Sequence, residues 1–247
     1  MAPLFTFNPD GGTDGNTVSI SDAGVGTAPS EILGPTADGF IKYSNVAIPP
    51  RFGSVSVRAA TRTTVGANGM GFIIGTAQAS GNHNFYWMVS VSNASSINLI
   101  STRNGTGNIG FIVLTATNNL RISSASGTAV FTGAAKWTPG QWYRLEWLCT
   151  AGGATATMRY WWYDAFTESL IEDSGNQTVT PGASQTVYDT FRIGQLTAGT
   201  ANLPGSGSTD FLYLHKVKGF DSAQIGPEVP IAPLPLMRTG IMTGSRF

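Results

Sequence analysis

An all-β protein, built as an antiparallel β-sandwich with an extended Pro-rich C-terminal tail, is the fold class that three observations predict. Apolar residues recur at every second position in ten separate segments, the period of a strand with one buried face. The gaps between these segments are filled by Gly, Asn, Ser and Thr clusters of the kind that turn antiparallel hairpins. Thr (29), Ser (22), Asn (14), Gly (31) and Pro (13) replace charge, which is carried by only 11 % of residues. Gly and Pro break helices, and Ser, Thr and Asn compete for the backbone, so the composition favours strands and turns. No helical apolar pattern exceeds about two turns.

The segments follow in order. Gly53–Thr63 places Val55, Val57 and Ala59 on one face and Ser54, Ser56, Arg58 and Arg62 on the other. Met70–Ala77 comes next, then His83–Ser92 with Phe85, Trp87, Val89 and Val91 on one side. Ile97–Thr102, Ile109–Thr115 and Leu120–Ser123 are shorter. In Gln141–Thr150 the inward set is Tyr143, Leu145, Trp147 and Cys149, so the single cysteine reads as a small buried hydrophobe. In Ala154–Asp164, Met158, Tyr160 and Trp162 alternate with Arg159, Trp161 and Tyr163. Thr186–Gln195 and Thr209–Phe220 complete the set.

Residues 1–225 are read as one sandwich domain. A chain of this size buries about 70–75 % of its surface and needs no disulfide or metal to fold. Residues 226–247 differ: four prolines between Pro227 and Pro235 favour an extended arm that cannot pair inside a sheet. Val229, Ile231, Leu234 and Leu236 make that arm apolar. Either it folds back across its own sandwich or it docks on another copy or another protein; composition decides neither.

The net charge of zero is a sum of unlike parts. Residues 1–38 carry five acids and no base; residues 39–145 carry eight cations and no acid; residues 146–247 carry nine acids and six bases. The 107-residue block without Asp or Glu supplies no carboxylate pair for acid/base chemistry. Its arginines, Arg58 and Arg62 among them on one strand face, either form a basic docking surface or pair with the acids of the flanking segments. The start, Met-Ala-Pro-Leu-Phe-Thr-Phe, lacks a basic region followed by an apolar stretch, and no run of 18 apolar residues occurs. Neither secretion nor membrane insertion is therefore expected.

Several motifs invite a chemical reading. Gly105-Thr-Gly107-Asn-Ile-Gly110 matches GxGxxG, but a strand follows where a nucleotide loop needs a helix, so it is read as a hairpin turn. Glu146, Asp164, Glu168, Glu172 and Asp173 are the available carboxylates for hydrolysis, which needs two of them facing one cleft; Glu168 and Glu172 flank a short Ser-Leu-Ile run that reads as a solvated hairpin, and nothing draws that pair into a cleft. His83 and His215 are the only histidines, and neither has the spacing of a metal site. Asp10 and Asp14 in Asp10-Gly-Gly-Thr-Asp14-Gly are a weak calcium candidate, lacking the further oxygen ligands of a calcium loop. No cofactor is expected. Five of six tryptophans fall within Trp137–Trp162, so both faces of the Ala154–Asp164 strand carry aromatics. One face must be core; Arg159, Trp161 and Tyr163 then lie at or near the surface as a candidate glycan platform, unless a loop or the tail covers them.

Trp137-Thr-Pro-Gly-Gln-Trp142-Tyr-Arg-Leu-Glu-Trp147 resembles a segment of concanavalin A-like and laminin-G-like jelly rolls, in which a Gly-x-Trp turn leads into an alternating strand. Ala154–Asp164 with Glu168–Asp173 resembles their next strand and small hairpin, and Phe191–Gly194 and Asp210–Phe220 their closing strands. Phe5-Thr-Phe-Asn with Asp10–Gly15 fits their first strand and turn. The resemblance spans about residues 4–222 and implies a jelly-roll sandwich. The Glu-x-Asp-x-x-Glu strand of that family's hydrolases is absent.

The Met-Ala-Pro start, the Gly/Ser/Thr/Asn-rich sandwich and the Pro-rich apolar tail also resemble bacteriophage virion subunits, of the minor tail or capsid-decorating kind. That resemblance implies a non-enzymatic structural protein of the virion, docking on other virion proteins or on copies of itself and displaying a host-glycan surface. No specific nucleic-acid partner is expected. A free-standing carbohydrate-binding module is the alternative, and a glycoside hydrolase a more distant one.

Overall fold

A computed structural model describes residues 4–14, 16–20, 25–33, 41–45, 55–60, 68–90, 96–105, 107–196 and 211–220. Arg62, the 225/226 boundary and the tail residues Val229, Ile231, Leu234 and Leu236 lie outside them.

The described residues hold seventeen strands. They begin with β1 (Phe5–Asn8), β2 (Val25–Gly26), β3 (Glu31–Leu33), β4 (Ile41–Ser44), β5 (Ser56–Ala60) and β6 (Asn68–Gln78). Next come β7 (Ser80–Val89), β8 (Ile97–Asn104), β9 (Gly107–Leu114), β10 (Leu120–Ser124), β11 (Ala129–Thr132) and β12 (Tyr143–Ala151). β13 (Ala156–Asp164), β14 (Leu170–Asp173), β15 (Gln177–Val179), β16 (Tyr188–Gln195) and β17 (Phe211–Phe220) complete the order. A single 3-10 turn, Pro9–Gly11, is the only helical element among the described residues.

All pairings are antiparallel, and the strands form two sheets. The larger runs β14-β13-β12-β7-β17-β1-β2, with β15 also on β13 and the β4–β5 pair on β17; the smaller runs β11-β10-β9-β8-β16-β6-β3. Each of the ten alternating segments contains a strand. The elements that alternation misses are short or peripheral, such as β2, β11 and β15, where too few residues pair to display a period.

Packing follows the pleat. His83, Phe85, Trp87 and Val89 of β7, Tyr143, Leu145, Trp147 and Cys149 of β12, and Met158, Tyr160 and Trp162 of β13 all point into the layer between the sheets and are buried. Phe5, Phe72, His83 and Phe191 stack at one end of that layer, with ring centroids 4.7–5.9 Å apart. Trp87, Trp137, Tyr143 and Trp162 fill the other end. Burial holds the His83 imidazole neutral, its pKa lowered to about 3, and its Nε2 lies 3.1 Å from the Tyr188 hydroxyl. Cys149 is buried and its thiol is pushed up to about 12 by burial, as an inert core residue requires.

Two strands divide their outer edges. β17 pairs with β5 through Phe211–Leu214 and with β1 through Val217–Gly219, the break falling at Lys216, whose φ is +45°. β13 pairs with β15 through Ala156–Met158 and with β14 through Trp161–Tyr163. In that second gap Ser174 substitutes for a ladder partner: the Tyr160 N–H donates to Ser174 Oγ (2.9 Å) and the Ser174 N–H to the Tyr160 carbonyl (3.1 Å).

Candidate functional site

The pleat that buries one face of β7, β12 and β13 turns the other outward. Register aligns that outer face into two rows: Asn84, Glu146, Trp161 and Asp173, and beside it Tyr86, Arg144, Tyr163 and Leu170. On the β17 side these rows continue to Lys218 and His215.

The outer face is polar yet closed over its centre. Arg144 and Glu146 are 0 % exposed, and Asn84 and Tyr86 only 1 %. Exposure grows towards the β14 margin, where Arg159 and Asp173 side chains are each 31 % exposed and Leu170 stands 53 % exposed beside Phe166 and Ile171.

Arg144 organises the centre. Its Nη1 donates to Glu146 Oε2 at 3.0 Å and its Nε to Glu168 Oε2 at 2.6 Å, while its guanidinium lies 3.9 Å over the Tyr163 ring. The Tyr86 hydroxyl donates to Glu168 Oε1 at 3.2 Å. Burial alone would lower the Arg144 pKa, but the Glu168 charge, then that of Glu146, outweighs it and raises the pKa above its ordinary value. Arg144 Nη2 and Asn84 Nδ2 are buried donors that find no acceptor among the described residues.

Local chain geometry brings Glu168 here. After β13 the chain turns through residues 165–169, with the Glu168 N–H bonded to the Asp164 carbonyl at 2.9 Å and Glu168 itself at φ +57°, the left-handed conformation that ends such a turn. Asp164 closes the turn from within: its Oδ1 accepts from the Phe166 and Thr167 N–H groups (2.9 and 2.8 Å), and its Oδ2 from Gln141 Nε2 (2.7 Å). Burial works against the Asp164 carboxylate, yet these bonds prevail and hold its pKa below the usual range.

Arg159 and Trp161 occupy the margin. The Arg159 guanidinium lies 4.5 Å over the Trp161 ring and grips Asp173 in a fork, Nε to Oδ1 at 2.8 Å and Nη2 to Oδ2 at 2.5 Å. The Arg159 fork is the main cause that holds the Asp173 pKa below the usual range. Arg159 and Trp161 are therefore half-buried and fixed in orientation. Tyr163 differs from the surface position that alternation predicts, because Arg144 lies across its ring and leaves it 8 % exposed.

The carboxylates divide by role. Glu146 and Glu168 meet on one guanidinium; the connection is a cation on β12 facing a turn 24 residues away, which linear spacing does not display. Glu172 is a staple: its Oε1 accepts from the Ala134 and Ala135 N–H groups (2.7 and 3.1 Å), and its Oε2 from the Tyr160 hydroxyl (2.6 Å). Gly133 is required beside it, since a Cβ there would collide with the Glu172 carboxylate.

The remaining candidates lie elsewhere. Asp10 Oδ1 accepts from the Val55 N–H at 3.4 Å and Asp14 Oδ1 from the Asn45 N–H at 3.1 Å, so both carboxylates stitch the opening turn to the chain around β4 and β5. Among the described residues no three His, Cys, Asp or Glu side chains cluster as metal ligands. Arg58 sits on β5 opposite Tyr213 and near enough to lower its phenol pKa, although burial raises it overall. His215 is fully buried, its Nδ1 3.0 Å from the Val55 carbonyl oxygen. Gly105–Gly110 is the β8–β9 hairpin, with Asn104 opposite Gly107 and Gly105 at φ +53°.

No family profile matches the chain, and no curated protein matches it. Solved structures do. Cellulose induced protein Cip1 superposes with a TM-score of 0.54 at 12 % identity, over 88 % of this chain and 97 % of that one. The fold is a jelly-roll β-sandwich. The catalytic domain of a glycoside hydrolase family 131 protein from Coprinopsis cinerea covers 92 % of this chain and 87 % of its own, at 11 % identity and TM-score 0.46. Against Trypanosoma rangeli sialidase, at 10 % identity and TM-score 0.41, the match takes in 74 % of this chain but only 27 % of the sialidase. At these identities the likeness concerns the fold alone. The virion resemblance draws no support from these neighbours. Among the described residues no helix is long and apolar enough to cross a membrane.

Proposed function

We propose that this jelly roll is a carbohydrate-binding protein whose ligand lies on the outer face of the larger sheet, along the β12–β14 margin. The observation that carries the reading is the fixed Trp161: a half-buried indole overlain by the Arg159 guanidinium, in register with the polar Glu146 and Asn84. A preorganised aromatic beside hydrogen-bonding groups suits a sugar ring, which presents an apolar face and a rim of hydroxyls. Glu146 and Glu168 keep a hydrolase in view as a second reading, because they share one guanidinium. Their oxygens, however, are engaged by a cation and by Tyr86, an arrangement suited to architecture more than to proton transfer.

A glycan array followed by titration calorimetry tests the proposal. Saturable binding is expected, weakened at least about tenfold by Trp161→Ala with an unchanged unfolding midpoint. Absence of binding to any glycan, or full binding by Trp161→Ala, would sink it. Turnover of a bound glycan that disappears in both Glu146→Gln and Glu168→Gln would favour the hydrolase instead.

A further inference from the structure

Resting on the carbohydrate-binding reading, we infer that the ligand is a linear glycan chain lying lengthwise along β13, contacted through several consecutive rings and not as a chain end held in a pocket. The first support is where the outer face is accessible. At its centre Arg144, Glu146 and Asn84 are buried. Along the β13–β14 margin Phe166 is 52 % and Leu170 53 % exposed, and Trp161 is half-buried. A ligand on this face therefore meets the margin, where the apolar side chains have surface to offer.

The second support is the line these groups form. With Met158, Tyr160 and Trp162 turned inward, Thr157, Arg159, Trp161 and Tyr163 are the outward positions of β13. Trp161 faces Asp173 and Tyr163 faces Leu170 across the β14 ladder, while Thr157 faces the exposed Thr178 on β15. From Thr157 to Tyr163 the strand runs about 20 Å, and Phe166 stands in the turn beyond its end. Accessible apolar groups thus succeed one another from Trp161 through Leu170 to Phe166, with threonine hydroxyls at the opposite end. One sugar ring covers one such group; only a chain reaches them all. A margin touches its ligand from one side and buries less of each ring than an enclosing pocket does. The cost of association is then met only when several rings are engaged at once.

Calorimetry on the full chain measures linear gluco-, xylo-, manno- and galacturono-oligosaccharides, each as a series from disaccharide to hexasaccharide. In the series that binds, the hexasaccharide is expected to bind at least about tenfold tighter than the disaccharide. Methyl capping of its non-reducing end is expected to change that affinity less than about twofold, because internal rings make the contacts. A disaccharide that binds as tightly as the hexasaccharide, or a capped chain that loses its affinity, overturns the inference and leaves carbohydrate binding standing. Array binding confined to short terminal sugars, with none in the linear series, has the same meaning. Absence of binding on the array and in every series overturns the carbohydrate reading and the inference with it. The double variant Phe166→Ala, Leu170→Ala truncates two exposed side chains. It is expected to weaken the hexasaccharide at least about fivefold and the disaccharide less than about twofold, at an unchanged unfolding midpoint. A full gain with chain length in the folded double variant places the chain elsewhere and overturns the inference. Where that variant does not fold, the length series and the capped chain on the native protein decide.

Discussion

The two faces of β12 are almost equally hidden and chemically opposite. Inward lie Tyr143, Leu145, Trp147 and Cys149; outward lie Arg144 and Glu146, each fully buried. Apolar packing accounts for the first set, since aromatic and aliphatic side chains gain by leaving water. The second set gains nothing by leaving water unless every charge finds a partner. The contrast teaches that alternation reports which way a side chain points, not how wet it is.

The largest effect is expected where the second face is broken. Arg144→Met leaves Glu146 buried without its cation and Glu168 without its nearest one, which should cost about 3–5 kcal/mol, comparable to Trp147→Ala on the first face. Chemical denaturation reads both. The triple variant Arg144→Met, Glu146→Leu, Glu168→Leu should regain most of the loss, because the outer face would then be apolar like the inner one. A cost below about 1 kcal/mol for Arg144→Met would mean that the outer face is hydrated in solution and the contrast is false.

The inner face has its own exception in His83. Burial lowers its folded pKa to about 3, against an ordinary value of 6.5, so the unfolded chain binds the proton more readily. Its contribution is fully present above pH 6.5 and is lost as pH falls from there towards 3, with a slope reaching about 1.4 kcal/mol per pH unit. Replacement by a neutral residue that folds, such as His83→Gln, should flatten that part of the stability profile. A profile between pH 6.5 and 4 that is identical in both proteins would show that His83 is not the neutral core residue described.

The legibility of the sequence divides along the same line. Val55 beside β5, Val57 and Ala59 on it, and the inward residues of β7, β12 and β13 were readable because period-two burial is a local property. The hairpin at Gly105–Gly110 was readable because the strand after it excluded a helix. The Arg144 cluster was not, because it depends on a left-handed Glu168 returning the chain over β12, and only the fold supplies that approach. Tyr163 was misplaced because Arg144, its cross-strand neighbour, lies over its ring. The question left by the acid-free block has an answer for Arg144. Arg144 pairs with Glu168 from the acidic remainder. At Arg103 burial, then the like charge of Arg192, lowers the pKa, against the opposing charges of Glu31 and Asp189 from the flanking segments. At Arg144 the block and its acidic flank are partners within one sandwich.

The smallest effect separates the margin from the centre. Arg159 and Asp173 form a well-aligned fork, but each side chain is 31 % exposed, so solvent screens the pair and Arg159→Met should cost less than about 1 kcal/mol. The same change uncovers the Trp161 face that Arg159 now overlies and frees the Asp173 carboxylate. A stability loss as large as that of Arg144→Met would mean that the margin is as closed as the centre, and the path of entry for a ligand would have to be sought elsewhere. A small loss in stability together with weakened sugar binding is the expected result, because Arg159 then serves to hold Trp161 in place and not to hold the sandwich together.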